Sequence, residues 1–382
     1  MRIVADENMP ALESLLGGQV EVDRVPGRLI DRQHVATADA LFVRSVTRVD
    51  AGLLEGSSVR FVGTATAGTE HIDQQWLRGA GIRFAHAPGA NANSVVEYVL
   101  SGVAAVDDHL ERLLAGGRVG VVGYGHVGSA LVARLQRLGI ACRVYDPWLD
   151  QSQVPFRATL DDILQCDVIC LHAELTQESP WPSYHLLEQR GLQTLHSKQL
   201  LINASRGAVI DNAALLHRVS QPSTPQLVLD VWEHEPAISA ALLASVRLGT
   251  AHIAGYSLDS KVLASRMLCQ ALTESRHWST VALAGDPLPE LPPLQLEQAG
   301  SPAEVIRQLC LASYPIERDD RLLREATLGQ VPAQAADNFD QLRKCYPERR
   351  ELSGRKVALG RELSPYTELV SALGCHPFTL EP

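Results

Sequence analysis

RVGVVGYGHVG, residues 118–128, runs a β-branched apolar segment straight into three glycines spaced GxGxxG. The residues that follow, VGSALVARLQRLG, carry a helical pattern. The next apolar run, Cys142–Tyr145, ends on Asp146, 18 residues after Gly128. Strand, glycine turn, helix, strand and terminal acid together make a dinucleotide-binding βαβ unit. Gly123 permits the tight turn, Gly125 lets the backbone approach a pyrophosphate, and Gly128 lets helix and strand pack closely. His126 and Val127 open a helix whose free amides and positive end suit an anion. Asp146 can accept from both ribose hydroxyls and would repel a 2′-phosphate, which favours NAD over NADP.

Outward from this stretch, short apolar runs alternate with helix-length segments. Val168–Leu171, Leu200–Asn203 and Leu227–Val231 read as buried parallel strands. Val127–Leu138 and Asp211–Val219 read as helices between them. Upstream, Ile3–Ala5, Ala40–Val43, Val59–Gly63 and Ile82–His86 form a first α/β layer that ends near Pro88-Gly89. Ser94-Val-Val-Glu97 reads as a capping box opening a mostly apolar helix. A long helical pattern covers Ser257–Leu283. Then GDPLPELPPLQLE, residues 285–297, places four prolines in thirteen residues, a semi-rigid linker. Beyond it lie a helix near Ala303–Ala312, a basic stretch and a strand at Lys356–Leu359. The alternation predicts an α/β protein with a doubly wound parallel sheet.

Composition sets the outer limits. A chain of 382 residues suits two or three domains at about 150 residues each. The balance of 34 basic and 44 acidic residues gives a net charge of −10, which disfavours non-specific nucleic-acid binding. The seven cysteines are scattered with no CxxC pair, so neither a metal site nor a disulfide framework is expected. No signal-peptide pattern opens the chain and no apolar run is long enough to span a membrane. A cytoplasmic protein is expected.

Three later segments carry chemistry. Arg206 follows the strand end at Asn203, where open α/β sheets bind ligands, and a guanidinium there can grip a carboxylate in two-pronged fashion. Glu235 lies in the acidic segment DVWEHEP, residues 230–236. His252 precedes the long returning helix. Behind a dinucleotide fold these three make an oxidoreductase set. The imidazole takes a hydroxyl proton as hydride leaves the same carbon, the carboxylate orients the ring, and the Arg polarises the nascent carbonyl. Spacing alone does not bring the three together.

GYGHVG (123–128), NASRGAVID (203–211), LDVWEHEP (229–236) and AHIAGYS (251–257) resemble, in order, the signature segments of the D-isomer-specific 2-hydroxyacid dehydrogenase family. VADENMP (4–10), VRSVT (43–47), GTATAGTEHID (63–73) and QLRKCYPERRE (341–351) extend the likeness over essentially the whole chain, toward a branch that acts on a phosphorylated acid. The resemblance implies that Arg206 and Glu235 occupy active-site positions and that His252 is the proton donor and acceptor. It implies substrate contacts from Arg44, Ser45, Thr66 and Tyr256. NAD contacts would come from the glycine turn, Asp146, Ala173, Ala204, Ser205, Asp230 and Gly255. It further implies a flavodoxin-like substrate domain (1–93 and 257–284), an inserted NAD domain (94–256) and a C-terminal α/β dimerisation domain (285–382).

Two departures stand out. Arg44-Ser45-Val46 replaces the Arg-Ser-Arg of many phosphoglycerate dehydrogenases, so one phosphate-facing cation is missing. The cluster Arg343, Lys344, Arg349 and Arg350 is the expected replacement, with a solvated basic face as the alternative. His172-Ala173-Glu174-Leu175-Thr176 departs from His-x-Pro-Leu-Thr and removes a hydroxyl at Ala173. Two rival readings stay open: oxidation of a three-carbon phosphorylated acid, and an NAD-binding corepressor without turnover.

Overall fold

The computed structural model describes residues 1–17, 20–275, 283–285 and 288–379. Three parallel sheets organise them. The first contains β1 (Arg2–Asp6), β2 (Glu21–Val25), β3 (Ala40–Val43), β4 (Phe61–Thr64) and β5 (Arg83–His86) in the order 2-1-3-4-5. That is the flavodoxin-like doubly wound order. Its central strands are wholly buried. Ile3, Ala5, Phe42 and Phe61 pack on one face against Leu268 and Leu272 of the Leu258–Thr273 helix. Val4, Leu41, Val43 and Val62 fill the other face.

The second sheet contains β6 (Arg118–Val122), β7 (Ala141–Tyr145), β8 (Val168–Leu171), β9 (Leu200–Asn203), β10 (Gln226–Leu229) and β11 (Leu248–Gly249). Its order is 11-10-9-8-6-7. The chain runs from β6 to β7 on one side and then returns to β8 on the other. The turn after β6 therefore stands at the topological switch point, where open sheets of this type bind ligands. The third sheet, β12 (Leu294–Leu296), β13 (Lys356–Leu359) and β14 (His376–Thr379), is small and also parallel.

The chain divides into two compact units, Met1–Asn91 with Ser257–Glu290, and Ala92–Tyr256 with Leu291–Pro382. In the second unit the C-terminal segment shares one core with the six-stranded sheet. Val305, Ile306 and Leu309 of the Pro302–Ser313 helix join Val99 and Val103 of the Ala92–Ala105 helix in it.

Several elements differ from their sequence reading. Ser94 is not a helix cap, because the helix already begins at Ala92. Instead its hydroxyl donates to Ala254 O at 2.9 Å. Glu97 accepts from the Leu352 and Ser353 amides, both at 2.8 Å. Strand β12 lies in what reads as a linker, because Leu294 and Leu296 pair with Val357 and Leu359. The basic stretch contains two more helices, Ile316–Thr327 and Pro332–Lys344, the second started by a proline in its first turn. The helix expected to reach Leu283 is seen over Leu258–Thr273, and residues 276–282 lie outside the described ones.

Candidate active site

The glycine turn follows β6 with Gly123 at φ +90°. A Cβ there would meet Ala173 N at 2.7 Å, and one on Gly128 would lie 1.9 Å from Gly123 O. Only glycine fits these two places. Gly125 caps the His126–Arg137 helix and has open space around it, as a phosphate-binding turn requires. Asp146, at the end of β7, accepts the Tyr124 amide at 2.8 Å and the Trp148 amide at 3.0 Å. The acid is thus tied to the glycine turn, poised at the ribose end of a dinucleotide. These residues fit NAD.

The Asn203–Gly207 loop is knitted by its own asparagine. Asn203 Oδ1 accepts from the Ser205 amide and hydroxyl, and its Nδ2 donates to Arg206 O at 3.1 Å. Gly207 then lets the backbone pass against Trp232, where a Cβ would lie 1.9 Å from Trp232 C. Through that close approach the Arg206 loop and the acidic segment reach the same place. Arg206 Nη1 donates to Ser205 O at 2.9 Å.

Glu235 Oε1 accepts the Trp232 amide at 2.8 Å, and Oε2 meets His252 Nδ1 at 2.7 Å. The dyad expected from chain order therefore exists. Burial works to raise the Glu235 carboxyl. The charge and hydrogen bond of His252, the Trp232 amide and the Arg343 guanidinium outweigh it and hold the group below its ordinary value. A carboxylate on Nδ1 leaves Nε2, on the opposite edge of the ring, for proton exchange.

His252 sits at φ +55°, a left-handed conformation costly for a side chain of this kind. Asp230 secures it. That carboxylate is 1 % exposed and accepts the Thr250 hydroxyl at 2.6 Å and the Ile253 and Ala254 amides at 2.8 and 2.9 Å. The Asp230 carbonyl accepts the His252 amide at 2.8 Å. The Asp230 carboxylate thus shapes the His252 loop.

A family model described as "D-isomer specific 2-hydroxyacid dehydrogenase, NAD binding domain" matches residues 92–254. The erythronate-4-phosphate dehydrogenase of Pseudomonas syringae pv. syringae is 45 % identical, over 98 % of this chain and 99 % of that one. This chain belongs to the D-isomer-specific 2-hydroxyacid dehydrogenase family. The enzyme of the same name from Cellvibrio japonicus is 42 % identical over 98 % and 99 % of the two chains. An NAD⁺-bound 3-phosphoglycerate dehydrogenase of Entamoeba histolytica shares the fold, with a TM-score of 0.60 and 20 % identity over 75 % of this chain and 99 % of that one. A domain-of-unknown-function family, DUF3410, matches residues 287–374. The protein is an NAD-dependent dehydrogenase.

The other residues singled out in the sequence are placed unit by unit. Ala173 and Ala204 follow β8 and β9 in the second, and Gly255 and Tyr256 close it. In the first unit Arg44 and Ser45 follow β3, beside the switch between β1 and β3. Arg44 Nη1 lies 3.9 Å from buried Asp6 at the end of β1. Thr66 follows β4 and donates its hydroxyl to Gly68 O at 2.7 Å.

Two features escaped the sequence reading. His185 Nε2 lies 2.8 Å from Glu233 Oε1, while Glu233 Oε2 accepts the Asn212 amide at 2.8 Å. With Asp211 these residues offer three metal-type ligand atoms within 4.8 Å. Their hydrogen bonds account for them as a brace on the segment that leads to Glu235. The other is the contact of Arg343, singled out in the sequence only as a member of the basic cluster: its Nη2 reaches Tyr256 Oη. It lies 87 residues further along the chain, and no local pattern signals such a contact.

Proposed function

We propose that this dehydrogenase oxidises 4-phospho-D-erythronate at C2 to 2-oxo-3-hydroxy-4-phosphobutanoate, a step of pyridoxal 5′-phosphate synthesis. The observation that carries the chemistry is the Glu235–His252 contact at 2.7 Å, one peptide segment from the Arg206 loop. The near full-length likeness to the Pseudomonas syringae enzyme supports the choice of acid. His252 Nε2 takes the proton of the C2 hydroxyl. Bound NAD supplies the acceptor for the C2 hydride. Arg206 grips the carboxylate and the nascent C2 oxygen, and Glu235 keeps the ring oriented and stabilises the imidazolium.

Arg44, Ser45 and Thr66 in the first unit and Tyr256 in the second are proposed as substrate contacts. Gly123, Gly125, His126, Val127, Gly128, Asp146, Ala173, Ala204, Ser205, Asp230 and Gly255 are proposed for NAD. The substrate domain (1–93 and 257–284), NAD domain (94–256) and C-terminal domain (285–382) divide the work. The C-terminal domain is proposed to hold a homodimer, and light scattering on the purified protein checks this: a mass near twice the chain's 41.5 kDa is expected. A cytoplasmic location fits the seven cysteines, all free. No helix among the described residues is long and apolar enough to cross a membrane.

NADH formation with 4-phospho-D-erythronate beside 3-phospho-D-glycerate tests the substrate. The four-carbon acid is expected to give the higher kcat/KM. Preference for the three-carbon acid would refute the assignment while leaving the mechanism in place.

A further inference from the structure

Arg343 lies in the last turn of the Pro332–Lys344 helix, within the segment of unknown function. Its side chain is 25 % exposed. Nη2 donates to Tyr256 Oη at 3.3 Å, and the guanidinium lies 5.9 Å from the centre of that ring. Among the described residues its ion pair is a long one, 4.0 Å to Asp340 on its own helix. Nε is buried without a hydrogen-bond partner. Burial works against its charge, but Tyr256, Glu235 and Asp230 together strengthen it. The guanidinium is therefore a firmly charged group beside the catalytic dyad, with donors to spare.

Two other members of the basic cluster are placed differently. Arg349 is buried, donates to Ala254 O and Ser94 Oγ, and stacks 4.3 Å above the centre of the Tyr314 ring. It holds the loop after His252 rather than a ligand. Lys344 is exposed.

We propose that Arg343 binds the phosphate of the substrate. The C-terminal domain is then part of the active site, and it sets the preference for phosphorylated over plain 2-hydroxy acids. The inference rests on the substrate class given above. A 2-hydroxy acid with a terminal phosphate has two anionic ends. Arg206 is assigned the carboxylate, and the phosphate calls for a second cation. A guanidinium fork matches two phosphate oxygens, and Tyr256, itself a candidate substrate contact, fixes its orientation.

Steady-state kinetics of the full-length enzyme with 4-phospho-D-erythronate and plain D-erythronate test this on wild type, R343Q and R343K. In R343Q the ratio of kcat/KM values, phosphorylated over plain, is expected to fall about 30-fold, mostly through KM for the phosphorylated acid. R343K, which keeps the charge and loses the fork, is expected to fall between. An unchanged ratio, with both substrates losing equally, would overturn the proposal and assign Arg343 to the dyad or the fold. Calorimetric titration with inorganic phosphate separates this from an error in the substrate assignment. Binding to wild type at least about tenfold tighter than to R343Q supports the proposal whatever the carbon skeleton. Equal binding to both, or none to wild type, overturns it.

Discussion

Two acids hold His252 with separate duties. Glu235 touches the ring at 2.7 Å, and Asp230 holds the backbone that presents it. Removing either partner therefore has a different signature. Glu235→Gln keeps the shape but no longer stabilises an imidazolium. A fall in kcat of about 100-fold or more is expected, with little change in KM for NAD. At the nucleotide end, Asp146→Asn keeps acceptors for the Tyr124 and Trp148 amides and removes the charge. The ratio of kcat/KM values for NAD over NADP is expected to fall by about tenfold, since an anion no longer repels the 2′-phosphate. An unaltered ratio would place cofactor selection elsewhere. Arg206, Glu235, His252 and Asp146 were all legible in the sequence, because each ends a strand or follows one closely. Asp230 was legible as a residue, but its hold on the Ile253 and Ala254 amides was not, because a buried carboxylate that accepts amides leaves no local pattern.

At the scale of elements, the strands and the glycine turn were readable because a buried parallel sheet demands continuous apolar runs. Strand β2, EVDRV, was missed because it is a half-exposed edge with three charged residues in five. The Ala92–Ala105 helix was legible in kind and misread at its start. Its Ser94 and Glu97 look like a cap and instead anchor distant backbone. Glu97 gives this element a pH signature. Burial first, then the Glu351 charge, push its carboxyl up to about 7, against the Leu352 and Ser353 amides and Arg349. The folded protein thus holds a proton that the unfolded chain releases near the ordinary value of 4.5. The stability this provides is full below that value and is lost as pH rises through about 7. The Tm of Glu97→Gln relative to wild type is therefore expected to climb between about pH 5 and pH 7.5. A constant difference across that range would contradict the assignment.

The chain builds three parallel sheets, and the loops at the carboxyl ends of two of them carry the residues proposed for function. The 2-1-3-4-5 sheet carries Arg44, Ser45 and Thr66, and the six-stranded sheet carries the nucleotide turn, Arg206 and the dyad. The sequence foretold both layers through their alternation. It could not show that the segment after the proline-rich stretch would share a core with the nucleotide sheet. That union depends on contacts such as Val305 with the Ala92–Ala105 helix, some two hundred residues apart. The same union brings Arg343 to Tyr256. The central claim is that Glu235 and His252 run a proton transfer coupled to NAD reduction. It is tested most directly by measuring NADH formation from 4-phospho-D-erythronate and NAD binding in parallel, for wild type and His252→Ala, with a 2-oxoacid present to clear trapped NADH. The account predicts unchanged NAD affinity and a loss of turnover of about a thousandfold in the variant. Turnover that survives the substitution, or a wild type that binds NAD and oxidises no phosphorylated acid, would contradict it.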